Sequence, residues 1–96
     1  MYRIMIVEDD EVIACAVQQS LVSWGMDAFC VQDFSSVLAE FAVKNPQLVL
    51  MDIHLPFFNG FHWCQEIRKV SKVPVIFLSS ASDNMNIIMA VNSGRR

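Results

Sequence analysis

Leu48-Val49-Leu50-Met51 is an unbroken apolar run that ends in a carboxylate, Asp52, followed by a loop closed by Pro56 and Gly60. A short run of this kind fits a central strand of a parallel sheet, buried on both faces. Asp52 then stands at the carboxyl end of that strand, the edge where open α/β sheets hold their ligands. A carboxylate buried there alone would be costly, so the position demands partners from elsewhere in the chain.

Ile4-Met5-Ile6-Val7 repeats the pattern and ends in Glu8-Asp9-Asp10-Glu11. Behind it Val12, Ile13, Ala16, Val17, Leu21 and Trp24 recur at helical spacing, and Gly25 stops the helix. Met26 to Val31 reads as a strand interrupted by Asp27, suited to a sheet edge. Asp33 or Ser35 caps a helix whose apolar face is Val37, Leu38, Phe41 and Ala42, and Asn45-Pro46 ends it. Phe61, Cys64 and Ile67 form a further stripe, with Glu66, Arg68 and Lys69 toward water. Val73 to Leu78 is the next strand; Pro74 lies near its start, where a missing donor is tolerable. Ser79 to Asp83 makes a polar turn, and Asp83 caps a last helix carrying Ile87, Ile88 and Val91. Strand and helix alternate four times, which predicts right-handed crossovers and a doubly wound parallel sheet with helices on both faces.

Length and composition set the limits. Ninety-six residues, 54% of them hydrophobic, make one compact α/β domain with a modest core. A net charge of −3 leaves no overall basic surface for a nucleic-acid backbone, so direct nucleic-acid binding is not expected. No stretch approaches the roughly 20 apolar residues that span a bilayer, and Met1-Tyr2-Arg3-Ile4 does not open a signal peptide. Cys15, Cys30 and Cys64 are odd in number and lack zinc-ligand spacing. They read as buried or half-buried free thiols of a cytoplasmic protein.

Three strands thus end in oxygen-bearing side chains on one edge: Glu8 and Asp9, then Asp52, then Ser79. Clustered carboxylates repel one another, and an all-oxygen set favours a hard cation such as Mg²⁺. Asp10, just behind, reads as a helix N-cap. There is no Gly-rich phosphate loop, and His54 and His62, with no evident partners, read as surface residues. An aspartate beside a divalent cation can attack phosphorus and form an aspartyl-phosphate. Ser79 either hydrogen-bonds a phosphoryl oxygen or serves the turn. Phe57, Phe58 and Trp63 read as plain packing.

Ile6-Val7-Glu8-Asp9-Asp10, Leu50-Met51-Asp52-Ile53-His54-Leu55-Pro56, Asn59-Gly60 and Val75-Ile76-Phe77-Leu78-Ser79-Ser80 together resemble the receiver domain of bacterial two-component response regulators. Gly60-Phe61-His62-Trp63-Cys64 narrows the likeness to winged-helix regulators of Gram-positive bacteria that answer cell-envelope stress and antimicrobial peptides. The resemblance implies a flavodoxin-like sheet of strand order 2-1-3-4 and phosphorylation of Asp52 by a sensor histidine kinase. It implies Mg²⁺ held by Glu8, Asp9, Asp52 and the backbone carbonyl of His54, and Ser79 as the switch hydroxyl. It also implies transcription regulation through a DNA-binding domain absent from these residues.

Residues 1–96 then form one receiver domain in which Gly94 is followed by Arg95-Arg96, where the family continues into a fifth strand with an essential Lys and a fifth helix. Neither arginine matches that Lys. Two alternatives follow. A fourth-strand edge left open would support a homodimer or domain swap, with the chain acting only as an interaction module. An Asp-nucleophile phosphatase is disfavoured, because His54 stands where a general acid is needed.

Overall fold

The computed structural model describes residues 2–78, and its elements are β1 (Arg3–Val7), α1 (Glu11–Ser23), β2 (Asp27–Cys30), α2 (Val37–Lys44), β3 (Leu48–Asp52), α3 (Gly60–Arg68) and β4 (Val75–Leu78). The four strands form one parallel sheet in the order β2-β1-β3-β4, as expected, with β2 at one end. The expected turn and helix from Ser79 through Asp83, Ile87, Ile88 and Val91 to Gly94-Arg95-Arg96 lie outside the described residues.

Strand residues alternate between two faces, as period-2 geometry requires. Met5, Val7, Val49, Met51, Val75 and Phe77 pack on one face against Val37 and Phe41 of α2 and Trp63, Cys64 and Ile67 of α3. Ile4, Ile6 and Ala28 pack on the other against Ala14 and Leu21 of α1. Leu48 and Leu50 are only partly buried there, and Ile76 is 44% exposed.

Helix α1 departs from the expected stripe. Val12 and Trp24 are 79% and 70% exposed and Ile13 is exposed too, whereas Ala14 and Leu21 are buried and Val17 and Gln18 half-buried. The stripe that meets the sheet is therefore 14-17-18-21, at correct helical spacing but built from smaller and more polar residues. Gln18 belongs in it because its side-chain amide donates to the Ala28 carbonyl of β2 at 2.9 Å.

The α2 cap also differs. Ser36 precedes the helix without a side-chain cap bond, while Asp33 accepts from the Ser35 backbone and hydroxyl at 3.0 and 2.6 Å. Those bonds hold the Asp33 carboxyl below the usual carboxylate range. The side chain of Glu40 instead secures the loop, accepting from the backbone N–H groups of Gln32 and Asp33. Asp33 thus builds the turn before the helix rather than its cap. The thiols are free, but Cys15 is exposed, contrary to expectation, because it lies off the 14-17-18-21 stripe; Cys30 is half-buried and Cys64 buried.

Candidate metal and phosphoryl site

The register of the sheet builds the site. Val7 pairs with Met51 across parallel strands, so the next residues along, Glu8 and Asp52, emerge side by side. One carboxylate oxygen from each of Glu8, Asp9 and Asp52 lies within 4.8 Å of the others. Glu8 is buried, Asp52 half-buried and Asp9 exposed, so the cluster grades from the sheet edge into water.

Each acid of the Glu8–Glu11 run has its own place. Glu8 accepts the Asp10 backbone N–H at 3.1 Å. Asp10 is the N-cap of α1, accepting from Val12 and Ile13, as expected of it. Glu11 stands in the first turn, where the helix dipole favours negative charge. Burial pushes the Glu8 carboxyl up to about 7, and the Asp52 and Asp9 charges push the same way against the Asp10 N–H. Burial disfavours the charged form of Glu8 most, and the neighbouring carboxylates add to it. The donor set, carboxylates from three side chains, fits a hard divalent cation.

The loop after β3 is fixed against Asp52. The His54 N–H donates to Asp52 Oδ1 at 3.3 Å, and the Gly60 N–H donates to the Ile53 carbonyl at 2.9 Å. Asn59 caps α3 by accepting from the His62 N–H at 2.9 Å. Gly60 is required at its position: a Cβ there would overlap the Asp52 carbonyl oxygen and press on the Met51 side chain. Between these anchors the chain makes a turn that composition does not announce. Phe57 has φ +70°, and the Phe58 N–H donates to the Pro56 carbonyl at 2.9 Å across it. Together these define a γ-turn of the rare, strained hand. A non-glycine residue in the left-handed region costs about 1–2 kcal/mol.

The aromatic residues of this loop divide. Phe58 stacks on His62 with ring centroids 4.3 Å apart and meets Trp63 edge-on at 5.5 Å. Trp63 is buried, as expected of packing, and its indole N–H has no hydrogen-bond partner among the described residues. Phe57, expected to pack, is 77% exposed. His54 is exposed as expected; His62 is half-buried under Phe58. Ser79, the expected fourth contributor, lies outside the described residues. Sequence reasoning missed the left-handed backbone of Phe57, which has no Gly or Asn to signal it; it singled out Gly60 as closing the loop but not its contact with Asp52, which depends on tertiary packing.

A family model for the response regulator receiver domain matches residues 4–96. The uncharacterized transcriptional regulatory protein YvcP of Bacillus subtilis (strain 168) is 45% identical over 94 residues, covering 98% of this chain and 40% of YvcP. The sensory transduction protein BceR of the same organism is 43% identical over 94 residues, covering 98% of this chain and 41% of BceR. The chain thus spans about two fifths of the length of these relatives. Among solved structures, the N-terminal domain of the nisin resistance regulator NsrR, a lantibiotic response regulator, aligns with a TM-score of 0.87 at 42% identity. That alignment covers all of this chain and 81% of the NsrR domain. A carboxylate triad on the carboxyl edge of a 2-1-3-4 parallel sheet and a family match over nearly the whole chain agree: this chain belongs to the response regulator receiver domains of two-component systems.

Proposed function

We propose that Asp52 is the phosphoacceptor of this receiver domain and that a sensor histidine kinase is the donor. The observation that carries this reading is the meeting of Glu8, Asp9 and Asp52 within 4.8 Å, with Asp52 the half-buried member on the central strand. An Asp52 carboxylate oxygen attacks the phosphorus of a phosphohistidine. A P–O bond forms, the P–N bond breaks, and the imidazole nitrogen keeps the electron pair and is reprotonated. The product is an acyl phosphate on Asp52.

Glu8, Asp9 and Asp52 would hold Mg²⁺, with the His54 backbone carbonyl as the further ligand implied by family resemblance. Bound there, the cation neutralises the incoming phosphoryl charge and aligns it. The His54 N–H, already on Asp52 Oδ1, orients the attacking carboxylate. Ser79 is the proposed switch hydroxyl. The domain is a phosphorylated switch rather than an enzyme, and transfer onto its own Asp52 is the one reaction it supports. The names of YvcP, a transcriptional regulatory protein, and NsrR, a nisin resistance regulator, favour a transcription regulator of lantibiotic resistance, with DNA binding outside these residues.

The test is incubation with Mg²⁺ and acetyl phosphate, followed by mapping of the acid-stable adduct by mass spectrometry. A single adduct at Asp52 that is lost in Asp52→Asn is expected. An adduct at any other residue overturns the reading.

A second reading is pairing through the fourth strand. Among the described residues β4 is an end of the sheet, and Ile76 on it is 44% exposed. Light scattering from micromolar to millimolar concentration tests it, and a monomer throughout rules it out.

A further inference from the structure

Two of the three thiols open onto the same space. Cys15 of α1 and Cys30 at the end of β2 both line a cleft of about 440 Å³, beside Glu11, Gln18 and Gln32. Cys30 is half-buried, and its thiol meets the Ala14 carbonyl at 3.9 Å. That carbonyl belongs to the peptide bond leading into Cys15. The dimensions of a trans peptide therefore place the Cys30 sulfur within roughly 7 Å of the Cys15 Cα.

The fold imposes this proximity without a bond between the two. Gln18, lining the same cleft, ties α1 to β2 through the Ala28 carbonyl at 2.9 Å, and Cys30 is held in register with Ile6 of β1. A negative charge on Cys15 is felt at Cys30, whose pKa is raised chiefly by burial and further by that charge. The Cys15 sulfur itself is lightly held, accepting from the Gln19 side-chain amide at 3.4 Å, so a rotation about its first side-chain torsion can turn it to a new partner. Cys64 stands apart, buried on the opposite face of the sheet under α2 and α3.

The pair thus consists of an exposed thiol that meets solvent oxidants and a sheltered thiol beside it, the division of labour of a two-cysteine oxidation site. We propose that Cys15 and Cys30 form a reversible disulfide with a peroxide as the oxidant. The Cys15 thiolate attacks one peroxide oxygen; an S–O bond forms, the O–O bond breaks, and the departing hydroxide is protonated to water. Cys30 then gives its proton to solvent and attacks the Cys15 sulfur. The S–S bond forms, the S–O bond breaks, and a second hydroxide leaves as water. Together the two thiols lose two electrons, and one hydrogen peroxide is reduced to two waters. Exchange with an external thiol reverses the bond. It fastens α1 to β2 along the cleft that Glu8 and Asp9 also line. Neither thiol belongs to the carboxylate cluster, and the bond forms whatever Asp52 does.

The experiment exposes the whole chain to one equivalent of hydrogen peroxide, blocks the remaining thiols with a maleimide and maps the peptides without reduction. The expected product is a monomer lighter by two hydrogen atoms, with Cys15 joined to Cys30 and Cys64 still a thiol. Dithiothreitol restores the starting mass. Cys30→Ser removes the resolving thiol, so dimedone captures the Cys15 sulfenic acid in roughly 10-fold greater yield than in wild type. In Cys15→Ser, Cys30 stays reduced under the same exposure. The wild-type peptide map is independent of how either variant folds.

A wild-type chain that keeps both thiols free overturns the proposal, as does a Cys15–Cys15 bond between two copies or any bond to Cys64. Oxidation of Cys15 to the sulfinic acid with Cys30 untouched overturns it too, and so does equal dimedone capture in wild type and Cys30→Ser.

Discussion

The two faces of the sheet are made by the same strands and yet differ in kind. On one, α2 and α3 seal Met5, Val7, Val49, Met51, Val75 and Phe77 into a single dry cluster. On the other, α1 covers the β1–β2 half, while Leu48, Leu50 and Ile76 stay partly open among the described residues. Residue alternation carries the second face directly into the site. Ile4, Ile6 and Glu8 form one row and Leu48, Leu50 and Asp52 the next. The sealed face therefore anchors the fold, and the thinner face ends in the chemistry.

Neighbouring residues of one strand give the largest test of this contrast. Phe77→Ala removes a sealed aromatic and costs about 3–5 kcal/mol, whereas Ile76→Ala costs less than about 1 kcal/mol. Urea unfolding measures both, and equal costs would break the comparison.

A charge-based test probes the site end of the thinner face. The Glu8 carboxyl is raised from 4.5 to about 7 in the fold, chiefly by burial. Between those values the native state holds a proton that the unfolded chain releases. In metal-free protein this group therefore costs nothing below about pH 4.5 and progressively destabilises the fold up to about pH 7. The effect levels off above that at roughly 3 kcal/mol. Unfolding midpoints at pH 5 and pH 8 in EDTA, compared with Glu8→Gln, isolate it; an equal slope in the variant would assign the effect elsewhere.

Gly60→Ala tests how tightly α3 meets the site. The added methyl group overlaps the Asp52 carbonyl and costs about 1–3 kcal/mol. An unchanged midpoint would mean that the loop gives way freely. The cysteines sharpen the comparison with no expected change in stability. Cys15 on α1 reacts with a maleimide in the native state, while Cys64 beneath α3, buried and with its thiol pushed up by burial, reacts only on unfolding. Comparable native rates would contradict the sealed face.

Much of the fold was legible because buried parallel strands announce themselves. Ile4–Val7 and Leu48–Met51 are short apolar runs bounded by acids, and their alternation with helical periods dictates the topology. The three carboxylates were legible for the same reason, since strand ends must share one edge. Helix α1 misled because its burial stripe contains Ala14 and Gln18, while Val12, Ile13 and Trp24 face outward. Periodicity was present, but hydrophobicity did not mark which face it served. Phe57 was illegible because left-handed backbone is usually flagged by Gly or Asn, and here surrounding contacts impose it on an aromatic residue.

The absence of a side chain at Gly60 has a mechanical consequence. The first turn of α3 rests on the peptide of Asp52 with no side chain between them. The same helix carries Trp63 and Ile67 into the interior, so the bare glycine joins the end of β3 to the packed face by direct backbone contact.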